Sequence, residues 1–203
     1  MRIISGTLRG KKLSTPKDDH IRPTADRARE AVYNIITSKL DEPLSAYDVA
    51  DIFSGTGAFG LEAASRGAKS VTFVDLDLTL TQKNAVLCGF KNLNFIKADA
   101  TKLPKAQKSF AVIFTDAPYN KGLTEQTLIS LLKQGYLDKK TLLIAETAKN
   151  ESLIIPSKLE LIDDINTKLI PTIKNKTEGK LYTMVCFDMT ANIKALMNGD
   201  KSK

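Results

Sequence analysis

The sequence predicts an α/β fold, a mostly parallel sheet with helices on both faces. Three observations carry that expectation. Short apolar runs alternate with segments of helical period between residues 49 and 147, the pattern of repeated strand–helix crossovers. A glycine turn, Asp51-Ile52-Phe53-Ser54-Gly55-Thr56-Gly57-Ala58-Phe59-Gly60, joins the first strand of this series to its helix. Finally, Asp51, Asp75, Asp99 and Asp116 stand at the ends of four successive apolar runs, where open parallel sheets bind their ligands.

The elements follow in order. Arg2 to Leu13 reads as a short hairpin, with Gly6 and Gly10 at turn or bulge positions. Ser14 to His20 is polar and reads as a loose stretch. Thr24 is a plausible N-cap for a helix whose apolar face is Ala28, Ala31, Val32, Ile35 and Ile36. Strand one is placed at Val49–Phe53 and its helix at Phe59–Arg66, with Gly67 as a C-cap. Strand two is Ser70–Asp75, and a helix follows over Leu78–Cys88. Strand three is Asn94–Lys97, strand four Phe110–Thr115, a helix Leu123–Gln134, and strand five Thr141–Thr147. Ile154–Lys168 is ambiguous, Pro171–Glu178 reads as a loop, and Gly179–Asp188 contains a final strand. Three segments result: a basic hairpin extension over 1–20, the α/β domain over 21–190, and a basic, frayed tail over 191–203.

Composition narrows the function. Two cysteines, Cys88 and Cys186, lie far apart in apolar surroundings, and His20 is the single histidine. These numbers argue for a reduced, cytoplasmic protein and against a metal site. There is no apolar stretch long enough to span a membrane. The net charge of +7 is uneven: residues 1–40 carry +5, residues 41–167 carry −2, and residues 168–203 carry +4. Basic flanks around a near-neutral core suggest a polyanionic partner. Arg2, Arg9, Lys11 and Lys12 crowd the hairpin, and Arg22, Arg27 and Arg29 lie near the start of the first helix. Cations there oppose the helix dipole, so a partner outside the helix is expected, and phosphate suits the planar arginine fork; for Arg27 and Arg29, pairing with Asp26 and Glu30 is the alternative.

The glycine turn offers tight backbone and free N–H groups to a nucleotide-like ligand. Gly55, Gly57 and Gly60 spell the dinucleotide fingerprint. Asp51 argues against a pyrophosphate and for a ligand bearing an amino or sulfonium cation. Asp75 is placed to accept ribose hydroxyls, and Asp99 to meet an adenine amino group. Asp116-Ala117-Pro118-Tyr119 is the chemical end. A nucleobase amino group is a weak nucleophile, its lone pair delocalised into the ring. The Asp116 carboxylate and the Ala117 carbonyl can hold its two N–H groups, Pro118 stiffens the turn, and the Tyr119 face can stack the base.

On these residues the chain resembles S-adenosylmethionine-dependent methyltransferases of the Rossmann-like class. More narrowly, it resembles the bacterial small-subunit ribosomal RNA guanine-N2 methyltransferases. The likeness runs through Arg2-Ile3-Ile4, Gly6, Arg9-Gly10 and Leu13, then Arg22-Pro23-Thr24, Asp26-Arg27 and Arg29-Glu30. It continues through Asp51–Gly67, the Asp116 motif, and Gly179 with Tyr182. The family pattern has proline where this chain has Ala117. The resemblance implies a seven-stranded, mostly parallel sheet with an antiparallel last strand and an RNA-facing N-terminal hairpin. It implies that S-adenosylmethionine is bound by Ser54, Gly55, Gly57, Asp75 and Asp99, a set that Thr24, Asp51, Leu76 and Ala100 extend. It implies that Asp116 to Tyr119 hold the target base of 16S ribosomal RNA, within an assembled small-subunit particle, for a monomeric enzyme. Three other readings stand beside it: a nicotinamide-dependent oxidoreductase, a DNA adenine-N6 methyltransferase, and a non-catalytic RNA-binding assembly factor.

Overall fold

A computed structural model describes residues 1–16, 23–119, 121–138, 140–148, 160–164 and 182–188. For residues 23–25, 27, 147–148, 160–164 and 182–188 it describes the backbone alone. His20, Arg22, the 171–178 loop and the 191–203 tail lie outside the described residues, as does the side chain of Cys186.

Among the described residues, seven strands form one sheet in the order β3-β2-β1-β4-β5-β7-β6. They are β1 Asp48–Ile52, β2 Ser70–Asp75, β3 Leu93–Lys97, β4 Val112–Asp116, β5 Leu142–Ala148, β6 Glu160–Asp164 and β7 Tyr182–Asp188. β1 to β5 pair in parallel. β7 inserts antiparallel between β5 and β6. This is the Rossmann-like methyltransferase sheet expected, and the described part of the ambiguous region, Glu160–Asp164, is β6 at the edge. An edge strand tolerates the acids of Glu160-Leu161-Ile162-Asp163-Asp164, which is why its sequence reads weakly.

Among the described residues, four α-helices accompany the sheet: α1 Pro23–Lys39, α2 Ala58–Ser65, α3 Thr79–Cys88 and α4 Leu123–Gln134. α1 starts at Pro23, so Thr24 sits inside the first turn and not at the cap. Proline is suited to that first position because its φ is preset and its missing N–H would have been unpaired anyway. Side chains alternate across the strands with period two. Val49, Val71, Phe73, Val112, Phe114, Leu142 and Ile144 pack with α1, α2, α3 and the N-terminal segment. Ala50, Ile52, Val74, Ile113, Leu143 and Ala145 pack with Leu128 and Leu131 of α4 and with Leu103, Phe110 and Tyr136. On the first face, Phe59 is stacked between Tyr33 and Phe114, with centroids 4.8 Å and 4.0 Å away, which ties α1, α2 and β4 together.

The N-terminal hairpin closes on a single antiparallel bridge, Arg2 to Lys12. Its apolar residues are part of the main core: Ile3 is 0 % exposed and Leu13 6 %. Glu62, a buried acid in an otherwise uncharged helix, accepts the N–H groups of Ile4 and Ser5 at 2.6 Å and 2.9 Å and the Arg66 Nε at 2.8 Å. Ser14, expected in a loose stretch, is fixed in both directions by the Asn84 amide.

Candidate active site

The site lies beyond the carboxyl ends of the parallel strands. Alternation places Asp75, Asp51, Asp116 and Glu146 on one face of the sheet, on the neighbouring strands β2, β1, β4 and β5. Asp116 pairs in register with Glu146. Asp51 pairs with Phe73 and Phe114, two residues short of Asp75 and Asp116, so it sits deeper.

The glycine turn leaves β1 through Phe53, whose φ of 59° is a left-handed conformation that costs a bulky residue about 1–3 kcal/mol. Gly55 and Gly57 continue with φ of 51° and 75°, where glycine carries no such cost. The loop is then held from three sides. Thr81 of α3 donates to the Gly55 carbonyl at 2.8 Å and lies 3.1 Å from the Ser54 hydroxyl. Asn84 donates to the Thr56 carbonyl at 2.8 Å. The Gly55 N–H donates to Asp75 Oδ2 at 2.8 Å. Thr81 and Asn84 were not singled out in the sequence; both lie on the face of α3 turned to the loop.

Asp51 is 2 % exposed. The N-cap of α2 is Gly57, which has no side chain to cap with, and Asp51 supplies the acceptor from below, taking the Gly60 N–H at 2.9 Å. Burial is the main force on this carboxyl; with the fields of Asp116 and Asp75 it outweighs the Gly60 hydrogen bond, and the pKa is pushed up to about 8. Asp99 follows β3 and caps the short 3-10 turn Ala100–Lys102, accepting the Thr101 N–H at 2.9 Å and hydroxyl at 2.7 Å through Oδ1. Those bonds hold its carboxyl below the usual range and leave Oδ2 for a ligand. Leu76 is 64 % exposed beside Asp75, while Ala100 is buried.

These residues fit an adenosyl ligand. Asp75 uses one oxygen on Gly55 and the other on the Asp77 N–H, and each oxygen keeps a second lone pair for a ribose hydroxyl. Leu76 offers apolar surface next to it. A Cβ at Gly57 would come within 2.9 Å of Thr81, so the turn must stay bare there.

At the other end, Asp116 is exposed, Ala117 is 1 % exposed, and Tyr119 is half-buried. The covered Ala117 methyl packs into the protein. The Tyr119 hydroxyl reaches Glu146 Oε1 at 2.9 Å and Asp116 Oδ1 at 3.4 Å. Asp116 keeps solvent-facing surface, but protein crowds its carboxyl group as it does that of Glu146; this desolvation raises both above the ordinary range, and on Glu146 the Asp116 charge adds to it. Glu146 was missed in the sequence. The signal was available: it is the acid that ends the apolar run of strand five, as Asp51, Asp75 and Asp116 end theirs.

The cations divide. Arg9, Lys11 and Lys12 are exposed, and Arg2 is exposed with its Nε 3.2 Å from Asp26. Arg29, expected at an RNA face, is 8 % exposed; its Nη2 donates to the Arg2 carbonyl at 2.5 Å and to Asp26 at 3.1 Å. It clamps the N-terminal segment to α1: the Asp26 pair is the alternative the sequence spacing offered, whereas the bond to Arg2 joins distant residues that spacing does not reveal. The side chains of Thr24 and Arg27, and all of Arg22, fall outside the described residues.

Known proteins resemble this chain in sequence and fold. A family model described as Conserved hypothetical protein 95 matches residues 1–170. Two curated relatives are called ribosomal RNA small subunit methyltransferase D. The one from Haemophilus influenzae is 33 % identical over 178 residues, covering 84 % of this chain and 90 % of its own length. The one from Escherichia coli is 33 % identical over 158 residues, covering 75 % and 77 %. A solved Escherichia coli structure described as a candidate methyltransferase superposes with a TM-score of 0.71 at 27 % identity, covering 93 % of this chain and 97 % of that one. The glycine turn, the Asp116 motif and the N-terminal segment all fall within the matched span, and the chain belongs to the Conserved hypothetical protein 95 family.

Proposed function

We propose that the protein transfers a methyl group from S-adenosylmethionine to the exocyclic N2 amino group of a guanine in 16S ribosomal RNA of the small subunit. The observation that supports this best is the pairing of two half-sites on one sheet face: a glycine turn tied to Asp75, and a carboxylate turn, Asp116 to Tyr119, two strands away. The names of the relatives favour ribosomal RNA as the substrate. S-adenosylmethionine supplies a methyl group that is already strongly electrophilic. The protein's own contribution is placement. Asp116 and the Ala117 carbonyl accept the two N–H groups of the amine and aim its lone pair, as alignment of reacting atoms demands. Asp116 also offsets the positive charge that develops on nitrogen. Tyr119 lends a ring to the base, which is flipped or already unpaired when it enters. Asp51, neutral at rest, ionises readily if a cation comes to lie above it.

Single-turnover transfer to ribosomal RNA or small-subunit particles tests the assignment, with the product nucleoside identified by mass spectrometry. N2-methylguanosine is the expected product. Asp116→Ala should reduce the rate by a factor of about 10²–10³ while leaving cofactor binding largely intact, since Asp116 lies two strands from Asp75. A wild-type rate in that variant would show that the chemistry happens elsewhere.

A further inference from the structure

The Asp116 motif does not account for Glu146, yet Glu146 stands at the reacting end of the sheet. Its register partner is Asp116, and both side chains leave the sheet on the face of Phe114 and Ile144. One hydroxyl, that of Tyr119, lies within reach of both carboxylates. Two carboxylates so placed repel each other when both are ionised, so the pair readily retains one proton. Glu146 is the more enclosed of the two and Asp116 the more exposed, so desolvation assigns that proton to Glu146. A protonated Glu146 donates to the Tyr119 oxygen, which turns the Tyr119 O–H toward Asp116.

We propose that Glu146 is a positioning residue of the methyl transfer: through the Tyr119 hydroxyl it orients Asp116 and keeps it the ionised member of the pair. This rests on the function proposed above. The proton balance is simple. As the N–C bond forms and the methyl–sulfur bond breaks, nitrogen gains a positive charge and sheds one proton. The Asp116 carboxylate accepts it and, being exposed, passes it to solvent. The Glu146 proton is not consumed. Among the described residues, the groups bearing on Glu146 are Asp116 and Tyr119, and Asp51 on β1 feels Asp116 in turn.

The experiment is the pH profile of single-turnover transfer by the full-length protein, with S-adenosylmethionine and small-subunit ribosomal RNA. Wild type should give a bell. The acid limb marks protonation of Asp116, and the alkaline limb marks ionisation of Glu146, which draws the Tyr119 hydroxyl away. Glu146→Gln, which cannot ionise, should keep the acid limb and lose the alkaline one or move it upward. Glu146→Ala and Tyr119→Phe should each slow transfer by about a hundredfold, the effect of a misplaced reacting group. The double variant should be no slower than either single one, because both break one link. An unchanged alkaline limb in Glu146→Gln, or additive losses in the double variant, overturns the proposal. If Glu146→Ala does not fold, the near-isosteric Glu146→Gln decides alone. A wild type that methylates no RNA overturns the proposed function and this inference together, whereas an active wild type with an unaltered Glu146→Gln profile overturns the inference only.

Discussion

Asp51 shows how one residue can serve the fold and the site at once. As a cap it holds α2 through the Gly60 N–H; as a buried acid it resists ionisation, with its pKa near 8 against an ordinary 3.8. The sign of the pH effect follows. Between 3.8 and about 8 the folded state holds a proton that the unfolded chain has released, so folding stability falls as pH rises through that window. Below the window Asp51 contributes nothing to the slope, and above it the loss is complete. Asp51→Asn keeps an oxygen acceptor for Gly60 and cannot ionise. Thermal melts of the ligand-free protein should therefore show the variant gaining on wild type as pH rises, with the gap levelling off above about 8. A constant gap across the range would mean that Asp51 titrates normally. Sequence position alone suggested a charged Asp51 beneath a cationic ligand. Depth of burial is a property of the packed helix above it, and no local pattern reports it.

Among the elements, α2 and β2 pack without a gap. A Cβ built on Gly60 would lie 2.3 Å from Phe73 Cε1 and 2.8 Å from Val71 Cγ1, so the helix rests directly on the strand. Alanine would normally favour a helix interior over glycine by about 1 kcal/mol. Overpacking a filled core costs about 1–3 kcal/mol, and here the clash outweighs the propensity. Gly60→Ala should lower the melting midpoint by about 2–4 °C for each kcal/mol lost and should loosen the Asp51 bond. An unchanged midpoint would show slack between α2 and β2. At this scale the sequence was informative. Ser70–Asp75 and Leu123–Gln134 match β2 and α4 as observed, because their apolar periods are clean and bounded by glycine or acids. β6 was obscured by its edge position. Thr81 and Asn84 escaped because their partners belong to other elements, and a contact between elements leaves no mark on local periodicity; Glu146 was legible as the acid closing the run Leu142–Ala145, but its tie to Asp116 through Tyr119 was not.

For the molecule as a whole, the N-terminal segment is both scaffold and basic surface, and the two roles divide by side chain. Thr7 donates its N–H to the Ser65 carbonyl at 2.8 Å, Leu8 to the Ser65 hydroxyl at 3.0 Å, and Glu62 binds Ile4 and Ser5. Gly6 approaches the end of α2 so closely that a Cβ would fall 1.9 Å from the Ser65 carbonyl oxygen. Removing the segment would take Ile3 and Leu13 from the core and leave Glu62 buried with fewer donors, a cost of roughly 1–3 kcal/mol for each group so stranded. A truncation therefore cannot separate RNA affinity from folding. Charge-neutral substitutions can, because Arg9, Lys11 and Lys12 are exposed. Replacing all three with glutamine should leave the melting midpoint and cofactor affinity close to wild type. If each cation meets one phosphate of an unpaired strand, the slope of log affinity against log salt should fall in magnitude by about 2 units. Binding measured by fluorescence anisotropy across a salt series reads this directly. An unaltered slope would assign the three cations to solubility and place the RNA contact on another face. A reduced slope accompanied by weaker cofactor binding would instead show that the segment transmits strain to the glycine turn through Ser14, Asn84 and Thr56, which are joined by hydrogen bonds of 2.7 Å and 2.8 Å.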